Sequence, residues 1–234
     1  MFRNLLTLVA AAAIAVAVTV HAQEGGKPQI KIPDPQVPEI MTMQGKFVRA
    51  AYNNEAYVIL GYQVANRSIG EDWMMIDIGT TVLDNTPEYK LKREHITLDL
   101  PDGKNVPIAT VEQYRGAAEV KAIEARARVQ RDSINYFPPM ASRACRIGFF
   151  ADLSGPAMAW DEVAVSNTRA CGGRLFFVVP GGIKHGQYFL NVKFAKSLIR
   201  VPFRILTEEE ERLLGKNYGD IKKQVDDAFK PKKK

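Results

Sequence analysis

The sequence predicts a mainly β fold, an antiparallel β-sandwich of eight or nine short strands with one inserted helix over about 110–135 and a C-terminal helix. Between residues 41 and 206, apolar side chains recur at every second position, which is the period of a strand with one buried face. Turn-forming residues separate these runs, as they separate short strands. Two segments rich in Ala, Glu, Arg and Lys instead have the capping residues typical of helices.

Composition limits the class of protein. The chain has 234 residues, of which 46% are hydrophobic and 25% charged, and this excludes collagen-like, coiled-coil and wholly disordered chains. Its length suits a single domain over 41–206. Two cysteines and three histidines are too few for a zinc ribbon, an iron–sulfur cluster or a disulfide-rich miniprotein.

Residues 1–22 have the pattern of a secretory signal peptide. Arg3 precedes an apolar stretch of 16 residues, Leu5–Val20, which is shorter than the roughly 20 residues that span a bilayer. Ala22 then suits cleavage, and no cysteine follows that could carry a lipid. We therefore expect an exported protein, periplasmic or extracellular, with bacterial secretion favoured over eukaryotic. A signal retained as an anchor is the alternative.

Both flanks of the domain lack the apolar content of a packed core. Residues 23–40 contain four prolines, which predicts an extended linker. Residues 230–234 form a basic tail that we expect to be disordered. We expect a solvated tail that aids solubility. The alternative is weak contact with an anionic membrane surface through its four lysines, which are Lys230, Lys232, Lys233 and Lys234. Without this tail the chain is close to neutral, which argues against a nucleic-acid-binding face.

The strands are predicted from alternation. The runs over 58–64, 74–82 and 96–100 each end in turn residues. After the inserted helix, strands are expected over 144–150, 161–166, 174–179, 188–194 and 199–205. Pro202 cannot donate a hydrogen bond to a neighbouring strand, so the last strand is placed at a sheet edge or at a bulge.

The helices are predicted from their starts. Thr110 begins a capping box, and Glu124 precedes Arg128 by four residues, the spacing of an ion pair on an exposed helix surface. The C-terminal helical segment, 207–229, begins with a second capping box at Thr207. Two glycines within this segment are expected to divide it into two short helices.

One short motif resembles a known architecture. In Gly186-x-Tyr188-x-Leu190-x-Val192, the tyrosine stands where immunoglobulin-like domains have the tyrosine of their tyrosine corner, and Leu190 stands where antibody domains have a cysteine. The resemblance implies an immunoglobulin-like sandwich. It implies no function.

The two cysteines predict a disulfide. Cys145 and Cys171 would lie in an oxidising compartment, where pairing is favoured. The bridge would close a loop with a sequence separation of 26, worth about 3.5 kcal/mol of chain entropy. The absence of a Cys-x-x-Cys motif argues against a redox-active thiol, and two free buried thiols are the other alternative.

No residue set for catalysis, cofactor binding or metal binding emerges from the sequence. His95 and His185 have no metal-ligating neighbour at suitable spacing, and no nucleophile elbow or phosphate loop is present. Asp77 and the acids before it show no paired acid and base. Trp73 and Trp160 are interpreted as core residues.

These observations favour a non-enzymatic exported β-sandwich that acts as an envelope or periplasmic protein–protein interaction module. Its contacts are expected at a strand edge or at the C-terminal helix. We expect no cofactor and no nucleic acid, and an envelope protein as partner. The alternative is a hydrolase or carbohydrate-active protein whose site is assembled from residues distant in the sequence.

Overall fold

The structure, a computed structural model, describes residues 40–83, 86–151 and 158–230. The fold is mainly β, as predicted. The described strands are β1 Ile40–Gly45, β2 Val48–Tyr52, β3 Ala56–Gly61, β4 Trp73–Val82, β5 Tyr89–Lys92, β6 Ile96–Asp99, β7 Asn105–Pro107, β8 Arg143–Ile147, β9 Glu162–Val165, β10 Arg169–Val178, β11 Gly186–Lys193 and β12 Leu198–Ile205. The described helices are α1 Gln63–Asn66, α2 Val111–Gly116, α3 Ala118–Ala127, α4 Glu208–Lys216 and α5 Tyr218–Ala228. The strand predicted over 58–64 ends early, at Gly61, and α1 follows it.

The larger sheet has six strands in the order β1-β2-β3-β4-β10-β8. Its neighbouring strands are antiparallel, as predicted, except that β8 runs parallel to β10 at one edge. In that pair Cys145 lies directly opposite Cys171, and the predicted disulfide joins them. The disulfide therefore fixes an edge strand to the sheet.

A four-stranded sheet, β12-β11-β6-β7, and a two-stranded sheet, β5-β9, complete the described β structure. The two larger sheets share one buried cluster, in which the ring centroid of Tyr62, just after β3, lies 5.1 Å from that of Phe203 on β12. The edge position predicted from Pro202 is confirmed, because β12 ends this sheet. The Tyr188 hydroxyl on β11 donates to the Lys184 carbonyl at 2.9 Å and so holds the corner before the strand.

The central strand β4 is buried more completely than its alternation predicted. All ten of its residues are buried, because its outer face is also covered. The segment 131–137, which we call the strap, covers part of this face, and helices α1 and α3 also contact β4. Ile134 and Phe137 of the strap pack on the sheet where Gly61 and Gly79 leave room, since a methyl group at either glycine would come within 2.9 Å of a strap side chain.

The predicted inserted helix is in fact two helices. These are α2 and α3, which end at Ala127, so the predicted helix end at about 135 is wrong, and residues 128–135 continue without regular structure into the strap. The capping box at Thr110 is confirmed. The surface position predicted for Glu124 is wrong, because this residue is only 7% exposed and its Oε1 lies 2.8 Å from the Tyr114 hydroxyl.

The C-terminal segment divides into α4 and α5, as predicted, but the break is at Asn217, and Gly215 and Gly219 lie within the two helices. Helix α5 lies along β1, the other edge of the six-stranded sheet. The Asp226 carboxylate accepts from the Met43 N–H at 2.8 Å, and the Lys222 ammonium donates to the Met43 carbonyl at 2.5 Å. Side chains of α5 therefore satisfy backbone groups that an edge strand would otherwise expose.

Candidate functional site

A cleft opens on the outer face of the six-stranded sheet, beside the strap. It has a volume of about 410 Å³ and is bounded by β4, β8 and β10, by α3 and by the strap. Three arginines and two carboxylates from distant parts of the sequence line it, namely Arg131, Arg146, Arg174, Asp77 and Glu124. We refer to this site as the cleft.

Strand register brings these charges together. Asp77 on β4 pairs with Arg174 on β10, and Arg146 on β8 pairs with Gly172 on β10. Because side chains alternate along a strand, positions 172 and 174 belong to the same face of the sheet. Gly172 has no side chain, so the floor of the cleft stays open between the two arginines. Arg131 reaches the same space from the strap.

The three arginines of the cleft form no hydrogen bond with the described part of the chain. Arg174 lies 3.9 Å from a carboxylate oxygen of Asp77 and 3.8 Å from one of Glu124. Arg131 lies 3.8 Å from Asp77. These distances exceed hydrogen-bond length. Arg146 has no ion-pair partner in the described ranges, so all three guanidinium groups keep N–H donors that no described residue occupies.

Asp77 is the most buried acid of the cleft, with a side chain that is 7% exposed. Burial raises the pKa of its carboxyl group from 3.8 to about 6, and the charges of Arg131 and Arg174 oppose this rise without cancelling it. The charge of Asp132, on the strap, raises it further. A carboxyl group that titrates near neutral pH can bind and release a proton under physiological conditions.

Strand β8 is both a wall of the cleft and an edge of the six-stranded sheet. The Arg143 N–H donates to the Thr168 carbonyl at 2.9 Å, toward β10. Because backbone groups alternate in direction along a strand, those of Ala144 and Arg146 point away from β10. Within the ranges that the structure describes, nothing forms a hydrogen bond with them. In the described part of the chain, this side of β8 is therefore an open edge at these two residues. The opening ends just after the strand, where the Gly148 carbonyl accepts from the Trp160 N–H at 2.7 Å.

Most residues singled out from the sequence lie elsewhere. His95 is in a 3₁₀ turn with its Nδ1 2.7 Å from the Tyr89 hydroxyl, and His185 is exposed. The described residues contain no group of three His, Cys, Asp or Glu side chains that could hold a metal ion. Trp73 is buried, as predicted, whereas the core position predicted for Trp160 is wrong because its side chain is 63% exposed.

The predictions for the two ends of the chain fall mainly outside the described residues. This holds for the signal sequence with cleavage after Ala22, for nearly all of the linker 23–40, and for Lys232, Lys233 and Lys234. Lys230 is described, and its ammonium lies 2.5 Å from the Asp227 carboxylate. Contact of the tail with a membrane surface stays a prediction.

The grouping of charges in the cleft was not predicted from the sequence. One signal could have indicated Asp77, which is the single charged residue in a ten-residue buried strand. The arginines give no comparable signal. Arg131 lies in a segment without periodicity, and Arg146 joins the site only through the parallel pairing of β8 with β10.

Comparisons with known proteins provide no further guide. No protein-family model, curated protein or solved structure matches the chain. Within the described ranges, every helix is too short or too polar to cross a membrane.

Proposed function

We propose that this protein is an exported, non-enzymatic interaction module of the bacterial envelope or periplasm, and that it binds a protein partner along β8. The observation that carries the proposal is the open edge of this strand, where the backbone groups of Ala144 and Arg146 have no partner in the described part of the chain. Such an edge can accept an extended segment of another protein as an additional strand.

The other three edges of the two larger sheets are protected. Helix α5 covers β1, Pro202 removes a donor from β12, and β7 has only three residues and ends at Pro107. Strand β8 instead carries the exposed residues Arg143 and Arg146. Their charges repel a second copy of the same edge and favour an acidic segment as the added strand.

The proposed architecture is an immunoglobulin-like β-sandwich. The buried cluster shared by the two larger sheets supports a sandwich, and the bond from the Tyr188 hydroxyl back to Lys184 supports a tyrosine corner. The disulfide supports export, because such bonds persist in oxidising compartments. The signal pattern over 1–22 supports the same conclusion.

In-cell photo-crosslinking tests the proposal. A photoreactive amino acid replaces Ala144 on the open edge or, as a control, Lys104 in an exposed turn away from it. We expect a crosslinked product of one or two discrete masses from position 144 and none from position 104, with mass spectrometry identifying the partner. The absence of a product at 144, or identical products at both positions, would contradict the proposal.

A matched pair of substitutions tests strand addition itself. Ala144→Pro removes an N–H that points away from β10, so the internal ladder is retained, whereas Ala144→Val keeps this N–H. With the photoreactive residue at position 143, we expect the proline variant to lose the crosslinked product and the valine variant to retain it. Denaturation curves of both variants check that the fold is intact.

The second candidate function is hydrolysis, and one observation favours it. Asp77, whose pKa is near 6, shares the cleft with Glu124, so a proton donor and a second carboxylate lie in one site. Chromogenic glycosides and esters test this function. If the purified protein turned over a substrate and Asp77→Asn abolished this activity, the result would favour a hydrolase. We expect no turnover above the blank.

A further inference from the structure

Arginines elsewhere in the molecule form hydrogen bonds with carboxylates, and the arginines of the cleft do not form such bonds with the described residues. Arg126 donates to the Glu71 carboxylate at 2.7 and 2.8 Å, and Arg200 donates to Asp99 at 2.8 and 3.1 Å. None of the three cleft arginines donates to an atom of the described residues. A charged donor in a partly enclosed site is stabilised by a charged acceptor. The cleft therefore has both the room and the free donors for an anion.

The residues that line the cleft favour one class of anion, a carboxylate with an apolar body. The fork of guanidinium donors matches the two oxygens of a planar carboxylate. Asp77 and Glu124 offset two of the three arginine charges, and Asp132 lies near Asp77 on the strap, so the cleft suits a monoanion better than a doubly charged phosphate. Ile134, Phe150 and Phe176 supply apolar walls, and a volume of about 410 Å³ lies within the range of small-ligand sites.

We infer that the cleft binds a carboxylate group attached to a small apolar body, with Arg131, Arg146 and Arg174 supplying the donors. The inference goes beyond the proposed function, because the site lies on the face of the sheet and strand addition would take place at its edge. Two sources present this chemistry, a free organic acid and the C-terminus of a peptide chain.

The first test compares two probes of one shape. 3-Phenylpropionate carries the carboxylate and the apolar body, and 3-phenylpropanamide replaces the charged group by a neutral amide. In calorimetric titration of the full chain, we expect the acid to bind and the amide to bind at least about tenfold more weakly. Equal affinities, or no binding of the acid, would overturn the inference.

The second test uses a matched pair of arginines. Arg143 and Arg146 are both exposed on β8 and neither has an ion-pair partner in the described ranges, but alternation places them on opposite faces of the sheet. We expect Arg146→Gln to weaken binding of 3-phenylpropionate roughly tenfold and Arg143→Gln to leave it unchanged. Equal effects of the two substitutions would overturn the inference, and unfolding curves verify that both variants are folded.

Further probes separate the two sources of the carboxylate. A tripeptide Gly-Ala-Phe with a free C-terminus is compared with its amidated form and with 3-phenylpropionate. Tighter binding of the free-acid peptide would assign the ligand to a chain terminus, and tighter binding of 3-phenylpropionate would assign it to an organic acid. Displacement of either ligand by an equal concentration of inorganic phosphate would contradict selectivity for a carboxylate. None of these outcomes alters the crosslinking expected at position 144, so the two proposals can fail separately.

Discussion

Each of the two larger sheets carries one aspartate–arginine pair, and the two pairs differ. On the six-stranded sheet, Asp77 and Arg174 approach only to 3.9 Å, whereas on the four-stranded sheet Arg200 donates to Asp99 at 2.8 Å. Burial raises the pKa of Asp77. Burial also acts to raise the pKa of Asp99, but hydrogen bonds from two asparagines and from Arg200 outweigh it, and the pKa is lowered.

The comparison shows that two pairs of the same residue types can form different kinds of site. In the Asp99 pair the hydrogen bonds occupy the donors and the acceptor, so the pair stabilises the sheet. In the Asp77 pair the guanidinium donors stay available, and the carboxyl group titrates near pH 6. Hydrogen-bond distance, more than the nearness of opposite charges, therefore separates the structural pair from the candidate binding site.

The largest expected effect comes from removing the disulfide that holds β8 beside the Asp77 pair. The double substitution Cys145→Ser, Cys171→Ser should lower the free energy of unfolding by about 3.5 kcal/mol, because the unfolded chain regains the entropy of a loop with a sequence separation of 26. Urea denaturation measures this change, and reduction of the native protein should reproduce it. A loss below about 1 kcal/mol would contradict the stabilising role.

Asp77→Asn should change how stability depends on pH. The folded-state pKa of about 6 lies above the ordinary value of 3.8, so the folded protein binds more protons than the unfolded chain between these values. The free energy of unfolding of the native protein should therefore fall by about 2–3 kcal/mol as the pH rises through this window. The asparagine variant should lack this fall. If the free energy of unfolding changed equally with pH in the two proteins, the assignment of this pH dependence to Asp77 would be contradicted.

Asp99 should contribute to the pH dependence of stability with the opposite sign to Asp77, and Asp99→Asn should remove this contribution. The lowered pKa of Asp99 means that its ionised form stabilises the fold above the ordinary titration range of an aspartate, and that this contribution is lost as the pH falls through the lowered pKa. At neutral pH we expect a loss of about 2 kcal/mol, since charge-assisted hydrogen bonds to Arg200 are weakened. A stabilised variant at neutral pH would remove the distinction between the two pairs.

The smallest expected effect comes from Gly79→Ala, which disturbs the strap that carries Arg131. The added methyl group would lie 2.8 Å from the Phe137 ring, so the strap must shift, at a cost of about 1 kcal/mol. Gly116→Ala is the control, because nothing lies within 4 Å of the methyl group there. Thermal unfolding compares the two variants, and equal midpoints would show that the strap does not press on the sheet at Gly79.

The sequence was sufficient to predict features that depend on local pattern. Strand β4, the capping boxes at Thr110 and Thr207, and the edge position of Pro202 follow from alternation and from backbone chemistry. The disulfide followed from the expected compartment and the number of cysteines.

Features that depend on distant contacts could not be predicted in this way. Alternation along β4 indicates one buried face, and it cannot show that the strap covers the other. The strap has no periodicity, so the packing of Ile134 and Phe137 on glycines gave no signal. The cleft depends on the register of β8, β10 and β4, and a single sequence does not reveal which strands are neighbours.

The contact of α5 with β1 also determines how the domain can be attached. Ile40, at the start of β1, and Lys230, after α5, line one hollow, so the described chain enters and leaves at the same corner. A short peptide joining these ends would permit circular permutation, with new termini opened in an exposed turn such as Asp102-Gly103. A tether at either end would therefore attach the domain at this single corner.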